Sequence, residues 1–264
     1  SQCHRVILFG REPLAGRVKT RLAAELGAEG AALAYRLMLE HALREATGFL
    51  TFNLAHRNLA GLDLRGVNLS GAELTGAVLA GCTLSDADFR LAEMPRADLS
   101  DAEVSRASFR EAVLSSALLT GIHGVGPDFE EAVLVDARII RLDGLELANF
   151  ARAELAQANL FRSSFPAARF DGADFTLASA VGSDFGEVAS MSDVNLTGAN
   201  LTNARIEPGK VERAWFVNAD GLPEGLAEAL RERGGVARRE EVLHRVNPTI
   251  VAGFKAQIEE DPNV

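Results

Sequence analysis

Few residues in this sequence stand where chemistry would need them. The five histidines, His4, His41, His56, His123 and His244, share no ligand spacing and read as surface or filler rather than as metal ligands or a general base. Cys3 and Cys82 are too few and too distant for a disulfide framework or a zinc pattern. Cys3 lies near a chain end, and Cys82 is expected to pack. The acid pairs Glu130-Glu131 and Glu240-Glu241 read as solvated faces. No Ser-centred nucleophile elbow, His-Glu-x-x-His or Gly-rich phosphate loop occurs. No catalytic constellation is expected, and no cofactor or metal.

The chain has 264 residues, 47% hydrophobic, 24% charged and 6% aromatic, at a net charge of −10. That is too apolar for disorder and long enough for a large core. No run of 18 apolar residues exists, and no secretory leader is read at the start. A cytoplasmic protein is the expectation. Acidity argues against direct nucleic-acid binding through phosphates, and no membrane contact is expected.

What organises the chain is a period of five. Every fifth residue from Leu54 to Leu119 is large and apolar, and Ala72, Ala77, Ala87, Ala92, Ala97, Ala102, Ala107, Ala112 and Ala117 run two positions earlier, with Cys82 the exception. The rows fail at Gly121–Pro127, then resume at Phe129. One extra residue near Ile140–Leu142 shifts the frame to Leu145, Phe150 and Leu155, and a second near Gly186–Ser190 shifts it to Met191 and Leu196. A helix needs a period of 3.6 and a flat strand a period of 2. Five fits a chain that turns a corner every five residues, with the large residue and the small one two before it pointing inward. Four sides then close a coil of about twenty residues, and stacked coils satisfy one another's backbone groups.

Segments such as Ala87-Asp88-Phe89, Ala97-Asp98-Leu99, Ala158-Asn159-Leu160 and Ala199-Asn200-Leu201 resemble the A-(D/N)-L-x-x units of the pentapeptide-repeat family. The resemblance spans residues 52–222 and implies an all-β solenoid, a right-handed quadrilateral β-helix. At roughly 4.8 Å per coil the rod would be about 40 Å long. Residues 223–264 are expected to form an α-helical cap. Leu222, Leu226 and Leu230 share helical spacing after Pro223, and Gly234-Gly235 end that helix. A second helix is expected over 240–246. After Asn247-Pro248, a third presents Ile250, Val251, Phe254 and Ile258 on one face. In topoisomerase-binding members such a segment dimerises the rod, so the resemblance implies a homodimer. Residues 1–51 form a small βα segment, with Val6-Ile7-Leu8-Phe9 read as a strand. Arg5–Gly10 with Gly16–Leu22 is similar to the first strand–loop–helix of a bacterial nucleotidyl- or glycosyltransferase-like family, and the resemblance implies that Arg17, Lys19 and Arg21 would lie near nucleotide phosphates, which suit a helix N-terminus. With no room for the remaining sheet, this segment is expected to cap the first coil.

The whole net charge resides on the rod: residues 52–222 hold 14 basic and 24 acidic groups, whereas 1–51 carry +2 and 223–264 carry −2. With both slips at corners, one pair of opposite sides carries −4 and −5. The first holds Glu73, Glu93, Asp136, Glu154 and Asp174 against Arg96; the second includes Asp63, Asp86, Glu103, Asp143, Glu146, Asp184 and Glu187. Forty ångströms of duplex DNA hold roughly 24 charges, so the rod is a partial mimic. The resemblance extends to the quinolone-resistance members that occupy the DNA site of gyrase. It implies a non-enzymatic binding protein acting on a type II topoisomerase, DNA gyrase, through the acids of those two sides. A scaffold with another partner and a nucleotide-binding transferase remnant are the alternatives. Gly121–Pro127 is the one candidate for a projecting loop.

Overall fold

The computed structural model describes residues 51–142, 144–207 and 210–235, with the backbone of Arg5–Val6. Through the repeats the chain winds as a right-handed β-helix solenoid whose coils stack in parallel. We name its sides A to D in chain order. Bridges climb side A through Asn53, Glu73, Glu93, Val113, Val133, Glu154, Asp174, Asn195 and Trp215, and side B through Asn58, Val78, Asp98, Leu118, Arg138, Asn159, Ser179, Asn200 and Asp220. Side C starts at Asp63 and side D at Asn68. Each inward large residue donates its N–H to the next coil, as Leu74 does to Glu93 O at 2.6 Å, while Glu93 N–H donates back to Ala72 O at 2.9 Å. Backbone pairing is therefore complete without long strands.

The corners explain the rest of the motif. Ala72 N–H donates to Leu69 O at 3.0 Å, closing a turn whose third residue, Gly71, sits at φ 64°, the left-handed geometry of a type II turn. The Asp or Asn before each large residue accepts from the N–H two positions on. Asn68 Oδ1 takes Ser70 N–H at 3.0 Å, and Asp98 Oδ1 takes Ser100 N–H at 2.9 Å. A short side chain ending in an acceptor suits this ring, and Glu73 and Glu103 close it as well, so part of the rod's acidity is built into its turns.

The core is one continuous column of inward residues. On side D, Phe89, Phe109, Phe129, Phe150 and Phe170 stack ring over ring at centroid distances of 4.8–5.0 Å and within 5° of parallel. Gly121–Pro127 does not project. It remains in register as part of side C, where β3 (Gly124–Val125) pairs with β4 (Leu145–Glu146). The rows fail there because two sizes are exchanged: Ile122, buried, fills the small slot and Gly124 takes the large one. A Cβ on Gly124 would lie 2.6 Å from Ser105 N.

Neither slip lies at a corner: each falls within a side, between a small slot and the large slot after it, where the buried Leu142 and Leu145 on side C and the buried Val188 and Met191 on side D stand three positions apart instead of two. Across the first, the bridge spacing changes from Leu118↔Arg138 to Arg138↔Asn159, twenty positions to twenty-one. The displaced backbone is served by a buried hydroxyl: Ser163 Oγ donates to Ile139 O at 2.8 Å and accepts from Leu142 N–H at 3.1 Å. Ser183 Oγ to Leu160 O (2.6 Å) and Cys82 Sγ to Leu59 O (3.0 Å) repeat the first bond in the same column. Cys82 is thus a packed residue, as expected. Ser163→Ala is expected to leave an N–H and a C=O unpaired and to cost about 1–3 kcal/mol. In Cys82→Ala only a weak S–H donor is lost, and the cost is expected to stay under about 1 kcal/mol; urea unfolding of both variants checks the contrast.

At the ends, β1 (Arg5–Val6) pairs in parallel with β2 (Thr51–Phe52). The helix α1 spans Leu226–Glu232, shorter than the 222–233 pattern, and stops where Gly234 takes φ 78°. Its Leu226 and Leu230 are buried with the core, and Arg231 Cζ lies 5.9 Å from the Phe216 ring centroid of the last coil. The expected helices over 240–246 and after Pro248, including Ile250, Val251, Phe254 and Ile258, lie outside the described residues. So do Arg17, Lys19 and Arg21.

Candidate partner-binding faces

The two acidic sides differ in what their carboxylates already hold. On side C, Asp63 is clasped by Arg65 at 2.7 Å and Asp86 by Arg106 of the next coil at 2.7 Å. Arg205 Nη1 lies 3.4 Å from Asp184. Glu103 accepts from Ser105 N–H at 2.8 Å and from the Ser85 hydroxyl. Asp143 lies outside the described residues, which leaves Glu146 and Glu187 as exposed acids of this side with no ion pair. Side D is knitted further: Arg90 holds Asp88, Arg110 and Arg152 share Glu130, Arg152 also takes Glu131, and Arg213 takes Asp193.

Side A is built otherwise. Its acids Glu73, Glu93, Asp136, Glu154 and Asp174 form no ion pair among the described residues, and Arg96 pairs with none of them. Glu93, Asp136 and Glu154 are exposed; Glu73 and Asp174 are half-buried. Glu73 accepts Thr75 N–H at 3.0 Å and Asp174 accepts Thr176 N–H at 2.9 Å. Glu73 and Glu93 are direct bridge partners, as are Glu154 and Asp174, so each pair sets two carboxylates about 4.8 Å apart at the backbone. Val113 and Val133 separate the pairs. Like charges in register destabilise a sheet, and no ion pair among the described residues relieves them here.

Two leucines edge this side. Leu91 at the D–A corner and Leu177 at the A–B corner are each 60% exposed, with φ of 59° and 58°. A leucine in the left-handed region costs on the order of 1 kcal/mol, and exposing it adds no stability. Sequence reading passed over both, although every fifth position is a corner and a leucine there breaks the Gly, Asp, Asn and Arg usage around it.

Titration follows the ion pairs. The hydrogen bond and charge of Arg106 hold Asp86 below the usual carboxylate range, against a smaller desolvation cost. At Asp88 burial pushes upward, but the Arg90 guanidinium and backbone N–H together carry the group lower. Glu103 is likewise pushed up by burial and brought lower by Ser105, Ser85 and the charge of His123. A depressed folded pKa gives stability that is present above the unfolded value, about 4, and is lost as pH falls through the folded value. The melting temperature is therefore expected to stay level from about pH 7 to about 5 and to drop below about 4. Asp86→Asn should flatten part of that acid limb in a calorimetric series.

Nothing among the described residues assembles a reaction centre. No group of three or more His, Cys, Asp or Glu is placed to hold a metal, and no helix is long and apolar enough to cross a membrane, among those residues.

Comparison with known proteins adds the following. A family model described as pentapeptide repeats matches in 8 copies, over residues 53–86, 72–110 and 145–187. No curated protein matches. Among solved structures, the chain is similar to HetL, a pentapeptide repeat protein involved in heterocyst differentiation regulation in the cyanobacterium Nostoc sp. strain PCC 7120. The identity is 24%, covering 76% of this chain and 91% of that one, with a TM-score of 0.37. It is similar also to QnrB1, a plasmid-mediated fluoroquinolone resistance protein, at 19% identity over 71% of this chain and 98% of that one, TM-score 0.44. A pentapeptide repeat protein of the Arabidopsis thaliana thylakoid lumen matches at 18% identity, 65% and 89% coverage, TM-score 0.25.

Proposed function

We propose, from the premise that this chain belongs to the pentapeptide-repeat family, that it is a non-enzymatic binding rod whose side A docks on the cationic nucleic-acid saddle of a type II topoisomerase, DNA gyrase. It would act in the cytoplasm, modulating that enzyme or protecting it from quinolones. The observation that carries this reading is the ion pairing. On sides C and D arginines answer many of the acids, with Glu146 and Glu187 left over on side C, whereas none of the five carboxylates of side A forms an ion pair among the described residues. An unscreened anionic row steers a long body toward a surface evolved for phosphates. The edging leucines, Leu91 and Leu177, add apolar contact where exposure brings the rod nothing. Dimerisation through Ile250, Val251, Phe254 and Ile258 would align the rows of two copies.

Supercoiling by purified gyrase, with and without a fluoroquinolone, tests this. Micromolar rod is expected to inhibit supercoiling or to reduce drug-stabilised cleavage. The quadruple variant Glu73→Gln, Glu93→Gln, Glu154→Gln, Asp174→Asn is expected to lose either effect. No effect of the native rod on either reaction would end this reading.

A further inference from the structure

Most arginines of this rod are paired. Arg65, Arg90, Arg106, Arg110, Arg152, Arg169, Arg205 and Arg213 each reach a carboxylate on their own side or one coil away. Among the described residues, Arg96 stands alone on side A without an ion pair, and three further arginines without one sit together on side B. Arg138 lies in the bridge column between Leu118 and Asn159, and Arg141 and Arg162 occupy the B–C corner of two consecutive coils, where Arg141 N–H donates to Phe161 O at 3.1 Å. All three are exposed and form no ion pair among the described residues. Their ladder neighbours are Gly121 and Gly182 at the corner and Leu118 and Asn159 in the column, so the acid that answers an arginine elsewhere is missing. The acids of this side stand off along the axis: Asp98 and Asp101 belong to a coil two below, about 10 Å away, and Asp220 to one three coils above Asn159.

The cluster carries an apolar component as well. Arg162 Cζ stands 5.0 Å from the centroid of the Phe161 ring, and Phe161, Ile140, Leu118 and Val181 are all half-buried on the outside of the same side. It also coincides with the first register slip, where Ser163 holds the displaced backbone. Extra residues of this kind tend to stand beside sites, where they re-aim side chains. Three unpaired cations on neighbouring rungs repel one another and lower stability, so the arrangement brings the rod nothing as a scaffold.

We propose that this patch of side B is a second docking surface, and that its occupant is a short acidic protein segment with apolar residues interleaved. Guanidinium forks favour carboxylates bidentately, and Phe161 with Ile140 supplies the apolar contact. A long polyanion is disfavoured by what lies on either hand: side B is bordered by side A with its five unpaired carboxylates and by side C with Glu146 and Glu187. Only an anionic segment confined to about three coils, roughly 14 Å, avoids that repulsion. A small anion is disfavoured because the side is a flat pleated surface, and small ligands bind in concave sites. The surface is separate from side A, so the rod would hold two partners of opposite charge on adjacent sides.

The test uses the full chain and a fluorescein-labelled synthetic peptide of glutamate and leucine, read by fluorescence anisotropy, with a single-stranded DNA oligonucleotide of equal charge beside it. The native rod is expected to bind the peptide at least tenfold more tightly than the oligonucleotide. The triple variant Arg138→Glu, Arg141→Glu, Arg162→Glu is expected to weaken peptide binding at least tenfold, and Arg96→Glu to leave it unchanged. The neutral triple Arg138→Gln, Arg141→Gln, Arg162→Gln serves if the reversed one fails to fold by circular dichroism. Peptide binding that survives the triple variant, no peptide binding by the native rod, or equal binding of the oligonucleotide would each overturn the proposal. Because no side A residue is altered, the gyrase assay of the same triple variant separates a failure here from a failure of the proposed function.

Discussion

Phe129→Ala is expected to destabilise the rod by about 3–5 kcal/mol. Phe129 is fully buried in the middle of five stacked rings, 4.8 Å from Phe109 and 4.9 Å from Phe150 by centroid. Coil pitch sets that distance, and carbon contacts are best at about 3.5–4.0 Å. Nearly parallel rings at such centroid distances must therefore be offset sideways, the arrangement that ring quadrupoles favour. Alanine would remove contacts to the rings above and below at once. The cavity could not collapse, because the hydrogen bonds from Phe129 N–H to Asn149 O (2.7 Å) and from Phe109 N–H to Asp128 O (2.6 Å) fix the coil spacing. Phe129→Leu should cost about 1–2 kcal/mol, since leucine fills this slot on the other sides without leaving a comparable void. Guanidinium unfolding of the two variants reads the difference, and equal, small effects would contradict the stack as a source of stability.

Overpacking the small slot should cost nearly as much. Ala132 is fully buried, with Ala112 and Ala153 in the slots below and above it. Ala132→Leu is expected to cost about 3 kcal/mol, the upper end for added methylenes in a filled core. Val133 N–H to Ala112 O and Glu154 N–H to Ala132 O, both 2.9 Å, leave the backbone no slack. Ala132→Ser is the informative partner, because Ser163 and Ser183 show that a small slot accepts a hydroxyl when a carbonyl of the preceding coil receives it. It is expected to cost less than about 1 kcal/mol. A leucine variant as stable as the native rod would mean that the interior is wider than its alanine row implies.

The four-sided winding and its inward rows were legible in the sequence because a solenoid is nearly one-dimensional, whereas the slips, expected at corners, fall within sides C and D. Each residue meets the one about twenty positions away, so period alone gives address. Leu74, Leu99 and Phe170 are buried as their positions in the row demand. The exchange at Ile122 and Gly124 was not legible, since a row that breaks in sequence looks like a loop; volume conserved between two slots of one coil becomes visible only when both are seen from inside. Charge divides in the same way. The sequence by itself determined how many carboxylates each side carries, because the side follows from position. Only the tertiary structure decided which of them are left without an ion pair among the described residues. A pair such as Asp86 with Arg106, or Glu130 with Arg110 and Arg152, forms between coils, and whether two long side chains meet there depends on rotamers and on a slip that turns twenty positions into twenty-one.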